Sequence, residues 1–424
     1  MKSFLFLFIL FFVFGCSNDQ KNAFNQANKK LTYWCAPNPE EIELAKILVD
    51  KWNRLHPEIQ VEVQALPAGQ SSEEVLLAAI AGGTTPDVCS NIWPGAIAEY
   101  IKAGGLVALD EFEDFDSLIS ARKIPVDLLE SFRSKDGHFY QLPWKTNPVM
   151  LLYNVKIFEK AGIERAPRTY SEFFEACEKI KELGIFPGYT DIRPIWWQRF
   201  FDFYPFYIAS SGGRTFFKGD DLDIDYEIAV KVFDFFRTCF KMKYFPITNF
   251  QVDPFLSEKI AMRFTGPWTI TYLEGNKPSG FEYDFAPIPV PDDYQGKVYT
   301  YGDPKNIAIF STTRYKREAW EFVKFLVSEY SDSLLLEICN QLPIRGDLLE
   351  NKKFADYFNR NLKMKIFAEQ APFTRGVDEV VEMKEVFDAI SREFEACAVY
   401  GAKSPDEAVK NLIKRTKVII EWSK

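Results

Sequence analysis

The chain has 424 residues, 47% of them hydrophobic and 26% charged, which suits two or three packed domains and excludes a disordered chain. A formal net charge of −9 denies it the basic face that nucleic-acid binding needs. The aromatic share is high at 16%, with 40 Phe, 19 Tyr and 9 Trp, enough both for a ring-filled core and for aromatic walls around a ligand.

Lys2 gives a short positive start, and Phe4 to Phe14 is then wholly apolar, ending in Gly15-Cys16 before the polar run Ser17-Asn18-Asp19-Gln20-Lys21. The apolar run falls well short of the roughly 20 residues that cross a bilayer as a helix, so residues 1–15 read as a secretion signal. A small residue followed by Cys at this point resembles the lipobox of bacterial lipoproteins. That resemblance implies a lipidated Cys16 as mature N-terminus, since two acyl chains anchor a protein stably where one does not. A plain signal with an incidental Cys is the alternative. Residues 16–29 are polar and aperiodic, and are expected to be a flexible tether.

The next elements alternate between strand and helix. Leu31-Thr32-Tyr33-Trp34 is β-prone. Asn38-Pro39-Glu40-Glu41 opens a helix with a capping Asn, Pro in the first turn and two acids, and Ile42, Ala45, Leu48, Val49 and Trp52 follow at helical spacing until Pro57. Ile59, Val61, Val63 and Ala65 alternate as a strand, Ser71 to Ala81 is helical, and Pro86 to Ser90 is a third strand. This order predicts a parallel α/β domain that binds ligands at the carboxyl ends of its strands, near Trp34 and Ser90 to Trp93. A second α/β region starts near Trp144, with a strand over 149–153 and helices over 155–161, 169–183 and 226–241. The Pro-rich stretch 286–291 closes it. Helices are then expected over 316–328, 377–399 and 404–422.

Six cysteines follow Cys16, and they allow 15 full pairings. They are widely spaced singles with no CxxC, which favours free buried thiols over a set of bridges. Asp221, Asp223 and Asp225 alternate like a calcium loop, but Tyr226 stands where an EF-hand needs Gly, so Asp225 reads as a helix cap. His56 and His138 lack partner motifs, and no phosphate-binding glycine loop is present. Neither a metal nor a cofactor is expected.

From Lys30 onward the chain resembles the extracellular solute-binding proteins of ATP-binding-cassette importers, in the carbohydrate-binding group typified by maltose-binding protein. The resemblance is carried by Leu31-Thr32-Tyr33-Trp34, Thr85-Pro86-Asp87-Val88, Leu152-Tyr153-Asn154, Pro167-Arg168-Thr169-Tyr170, Met262 to Trp268, Pro287-Ile288-Pro289, Ala319-Trp320-Glu321-Phe322 and Leu342-Pro343-Ile344-Arg345, in that order. One departure is Gly302-Asp303, where a Gly-Gly pair is common in the family. The resemblance implies an α/β fold of two lobes joined by a three-crossing hinge. Lobe one is expected over 30–144 and 301–341, and lobe two over 145–300 and 342–424. It also implies an extracytoplasmic, membrane-anchored monomer that captures a carbohydrate by hinge closure and delivers it to transporter permease subunits, without catalysis.

Sugars need aromatic plates and a rim of hydrogen-bonding groups. The expected ligand-binding residues are Trp34, Asn91, Trp93, Trp196, Trp197, Arg199, Trp268, Tyr301, Asp303 and Arg345, with Lys145 and Asn147 as secondary candidates. Each has a plainer alternative: Trp34 as inter-lobe packing, Trp268 as core, and one of the adjacent pair Trp196-Trp197 as buried. Trp52, Trp320 and Trp422, on helices, read as packing residues. Other solutes (a polyamine, a metal complex, a glycerophosphodiester) remain open, as does a surface glycoside hydrolase, which would need two carboxylates about 5–9 Å apart.

Overall fold

A computed structural model describes residues 29–68, 71–219 and 221–423; Cys16 and nearly all of the expected tether lie outside the described residues. The strands are β1 Lys29–Cys35, β2 Ile59–Ala65, β3 Val88–Ile92, β4 Leu142–Thr146, β5 Met150–Asn154, β6 Phe186–Tyr189, β7 Phe217–Lys218, β8 Asp221–Leu222, β9 Ile260–Thr265, β10 Tyr283–Ala286, β11 Thr300–Tyr301, β12 Lys305–Ile309, β13 Leu342–Pro343 and β14 Thr374–Arg375. Two sheets carry the architecture. The first has the order β13-β4-β12-β3-β1-β2 and the second β10-β5-β9-β6. In the first, β1 runs parallel to β2 and β3, while β12 and β13 lie antiparallel to their neighbours. Helices cover both sheets, giving the two-lobed α/β fold.

Local chemistry explains the elements. The Asn38 side chain accepts from the Glu41 N–H and Pro39 opens the helix Pro39–Leu55, whose Leu44, Ala45, Leu48, Val49 and Trp52 are buried. Asp225 caps the helix Tyr226–Lys241 by accepting from the Ile228 N–H, the role expected of it. Under the first sheet lie Leu31, Tyr33, Leu48, Trp52, Ile307, Trp320 and Phe322. The second half is filled with rings: Phe206 meets Phe235, Phe236 and Phe264 at centroid distances of 4.8, 4.9 and 4.8 Å. Trp52 and Trp320 are core as expected, whereas Trp422 is 88% exposed at the end of the last helix. All six described cysteines are buried and free.

Some elements differ from the expectation. The helix expected over 377–399 starts only at Met383 and gives way to a wider π turn over Glu395–Val399. Asp378 is spent instead on accepting from Thr215 Oγ1 (2.5 Å) and the Phe216 N–H (3.0 Å), and its burial pushes the carboxyl up to about 6. The helix Phe203–Ser210 escaped notice because it is buried on every side and so has no polar face to mark its period.

The passages between the sheets are knitted together. Asn147 N–H donates to Gly302 O (2.5 Å), Thr146 Oγ1 to the same oxygen (3.0 Å), and Gly302 N–H to Arg375 O (2.9 Å). A Cβ on Gly302 would stand 2.7 Å from Thr146 Oγ1 and 2.8 Å from Thr374 Cβ. Gly302→Ala should therefore force these backbones apart and cost about 1–3 kcal/mol of stability, measured by denaturant unfolding. A variant as stable as the parent would show that the junction yields.

Candidate functional site

A cavity of about 530 Å³ opens where the two halves face each other. The first half lines it with Ala36 to Glu41, Asn91, Asp303, Lys305, Cys339 and Gln341, and the chain adds Lys145 and Asn147 as it leaves β4. Trp268 and Tyr272 stand opposite, at the start of the helix that follows β9. A larger groove, about 980 Å³, runs between the last two helices, but it is lined from within one half and holds none of the expected residues.

The polar wall is built on a buried ion pair. Lys145 Nζ lies 2.5 Å from Glu41 Oε1, with side-chain exposures of 1% and 5%. Asn38 Nδ2 and Gln341 Nε2 both donate to the same oxygen at 3.1 Å. Burial alone would push the Glu41 carboxyl up, but the Lys145 charge and these donors outweigh it and hold the group below the usual carboxylate range. Lys145 also lies 4.4 Å above the Trp144 ring, which buries its stem.

Beside this pair runs a relay. Trp93 Nε1 donates to Tyr301 OH (3.3 Å), Tyr301 OH donates to Asp303 Oδ1 (3.3 Å), and Lys305 Nζ lies 3.2 Å from that oxygen. Burial draws the Lys305 ammonium down, yet the charges of Asp303 and Glu73 hold it above its ordinary value. Asp303 adopts φ 37°, a conformation glycine enters more freely. Its carboxylate lines the cavity beside Lys305.

The apolar wall depends on glycine. A Cβ on Gly266 would fall 1.9 Å from the Trp268 ring, so the indole lies flat on bare backbone and is half-buried. Gly95 supports Trp93 in the same way, at 2.3 Å.

Eight of the ten sequence-derived candidates divide into three groups. Asn91, Trp268 and Asp303 line the cavity, joined by the secondary candidates Lys145 and Asn147. Tyr301 lies buried behind Asp303, and Trp93 is buried against Trp196 (5.2 Å) and Phe200 (5.7 Å), so these rings meet each other. Trp34 is half-buried against the same core and Trp197 is 39% exposed; neither lines the cavity.

The two arginines are committed elsewhere. Arg199 pairs with Asp202 at 2.9 Å and covers the Phe394 ring at 4.0 Å, clamping the 3₁₀ segment Trp196–Phe201. Arg345 meets Asp332 (3.1 Å) and Asp347 (3.0 Å), and Asp332 also takes Arg122 (2.9 Å). Charges this deeply buried require partners, so neither is free for a ligand.

Asn38, Glu41, Lys305, Gln341 and Tyr272 were not anticipated. Glu41 had a signal: it shares the helical stripe of Leu44, Ala45 and Leu48, which puts a carboxylate on the buried face. Among the described residues no cluster of His, Cys, Asp and Glu is arranged to hold a metal ion.

The family model described as bacterial extracellular solute-binding protein matches residues 37–330. The maltotriose-binding protein of Pyrococcus abyssi is 26% identical over 333 residues, 76% of this chain and 68% of that protein. The sn-glycerol-3-phosphate-binding periplasmic protein of Brucella melitensis is 24% identical over 424 aligned residues, 93% of this chain and 94% of its own. In fold, the structure of the sugar-binding protein MalE from Xanthomonas citri matches with a TM-score of 0.78, covering 93% of this chain and 98% of that one at 20% identity.

Arg345→Met should cost about 3–5 kcal/mol in denaturant unfolding, because it leaves Asp332 and Asp347 short of a partner in a buried site. A stable variant with lost ligand binding would instead return Arg345 to the site.

Proposed function

The chain belongs to the bacterial extracellular solute-binding proteins, and from that premise we propose that it captures a carbohydrate outside the cytoplasm and hands it to an ATP-binding-cassette importer. The observation that carries this reading is the pairing of walls in the cavity. A flat indole, Trp268 on Gly266, faces a wall of amides and carboxylates: Asn38, Glu41, Asn91, Asn147, Asp303 and Gln341. One wall suits the C–H face of a sugar ring and the other its hydroxyls. A volume of about 530 Å³ suits a small saccharide rather than a polymer.

The name of the Brucella relative raises a phosphate ester as second reading. The charges oppose it here. Both lysines in the cavity already face carboxylates, Lys145 with Glu41 and Lys305 with Asp303, leaving Glu40 as an unmatched third acid. The protein acts by binding, not turnover, and as a monomer: a solute touching both walls stabilises the approach of the two halves by its differential affinity for the closed state. Lobe one comprises 30–144 and 301–341, lobe two 145–300 and 342–424, and the passages between them bend.

A thermal-shift screen over mono- and oligosaccharides should give a hit that raises the unfolding midpoint. The same ligand should make the protein more compact in small-angle scattering, and Trp268→Ala should weaken its binding by about 1–3 kcal/mol without loss of fold. Turnover of the saccharide, or undiminished affinity in the variant, would overturn the assignment.

Residues 1–15 act as the export signal and Cys16 carries the lipid that holds the protein at the membrane. Cys16→Ala should release it into the soluble fraction on cell fractionation. A variant that partitions as the parent does would exclude lipid attachment at this residue.

A further inference from the structure

Away from the ligand cavity, acidic side chains of one half meet the other half at two places. The first is a second cavity, of about 460 Å³, to which the first half gives Arg133 and Lys135 and the second half gives Arg375, Asp378 and Glu379. Glu379 lies on the segment after β14. That segment is fixed by Gly302 N–H donating to Arg375 O (2.9 Å) and by Tyr204 OH donating to Gly376 O (2.8 Å). From there the Glu379 carboxylate reaches across to the N–H and ammonium of Lys135, with Asp136 close by. Burial pushes this carboxyl above its ordinary range against the pull of Lys135, and Asp136 adds to the push. The second place is the gap between the helices Ile97–Lys102 and Met383–Phe394. Glu99 there opposes Glu385, and Lys384 crosses to Glu74. Three carboxylates thus share two ammonium groups, Lys384 and Lys102, and burial together with the Glu385 charge pushes the Glu99 carboxyl up.

We infer that closure of the two halves takes up protons at Glu99 and Glu379, so that the chain holds its solute more tightly as its surroundings acidify. The inference rests on the hinge-closure reading and adds a regulator to it. When the halves part, both carboxylates regain water and Glu99 escapes Glu385, so both return to the ordinary range. A carboxyl that titrates higher in the closed form binds protons more tightly there, so protonation favours closure. The gain is absent well above the raised value, grows as the pH falls through it, and levels off below the ordinary carboxylate range near about 4. The other charges nearby are engaged within their own half. Arg133 pairs with Glu130 and His138 with Asp110 in the first half, and Arg214 pairs with Asp223 and Asp225 in the second. Arg375 covers the Tyr299 ring, and Asp378 accepts from Thr215 and Phe216, so it titrates alike in both states; Lys218 adds a cation to the second half's side of the cavity.

The test is calorimetric titration of the full chain with maltotriose between about pH 7.5 and about pH 5.5, paired with small-angle scattering of the chain without sugar over the same range. Maltotriose should bind about threefold to tenfold more tightly at the acid end, and the radius without sugar should shrink. Glu99→Gln combined with Glu379→Gln removes both charges. This pair should bind at the neutral end as the parent does at the acid end, and lose the slope. His138→Gln is expected to keep the slope of the parent. Should the double exchange misfold, either single exchange is expected to remove part of the slope. An affinity and a radius that stay constant with pH in the parent, or a slope that survives the Gln pair, overturn the inference while leaving sugar capture intact. If maltotriose binds at no pH, sugar capture fails separately and the scattering decides: contraction on acidification that the Gln pair abolishes upholds proton uptake, and a constant radius overturns it.

Discussion

The buried pair between Lys145 and Glu41 organises the ligand-facing side of this protein. An ammonium and a carboxylate withdrawn from water must meet, and their meeting fixes the end of β4 against the first turn of the helix Pro39–Leu55. Gln341, just before β13, is drawn to the same oxygen. One carboxylate therefore joins three distant parts of the chain, two of them at passages between the sheets. The pair thus holds together the wall from which Asn38, Glu41, Lys145 and Gln341 line the cavity.

Aromatic residues are allotted by a second constraint, the flatness of the backbone beneath them. Trp268 and Trp93 each lie on a glycine, but their fates differ. Trp93 meets Trp196 and Phe200 from the other half and is sealed. Trp268 meets Phe201 edge-on at 5.8 Å and keeps one side open to the cavity. The same residue type serves as a seam in one place and as a binding plate in the other.

Much of this was legible in the sequence. The strand and helix order of the first half followed from alternating and helical spacing, and Asn38 and Asp225 announced their helices. The order of short motifs gave the two-lobed fold. Trp268, Asp303 and Asn91, proposed from their places at strand ends and loops, line the cavity. Arg199 and Arg345 were expected at the ligand because an arginine looks the same in sequence whether it awaits a ligand or a buried aspartate close by in the chain, as Asp202 is to Arg199 and Asp347 to Arg345. Gln341 and Lys305 were missed because nothing local marks them; only the assembled sheet brings β12 and β13 beside β4. Long-range pairing decided the site, and composition could not reveal it.

The six buried thiols carry a consequence for life outside the cytoplasm. Burial pushes Cys35 and Cys397 up to about 11 and Cys89 to about 12, so the nucleophilic thiolate is scarce as well as inaccessible. The folded structure has no disulfide among the six described cysteines, so this form calls for no oxidative pairing of them. The hazard is confined to the interval between export and folding, when all six are solvent-exposed at once and scrambling competes with collapse. Rapid closure of the hydrophobic core is then its protection against wrong cross-links, in place of the right ones.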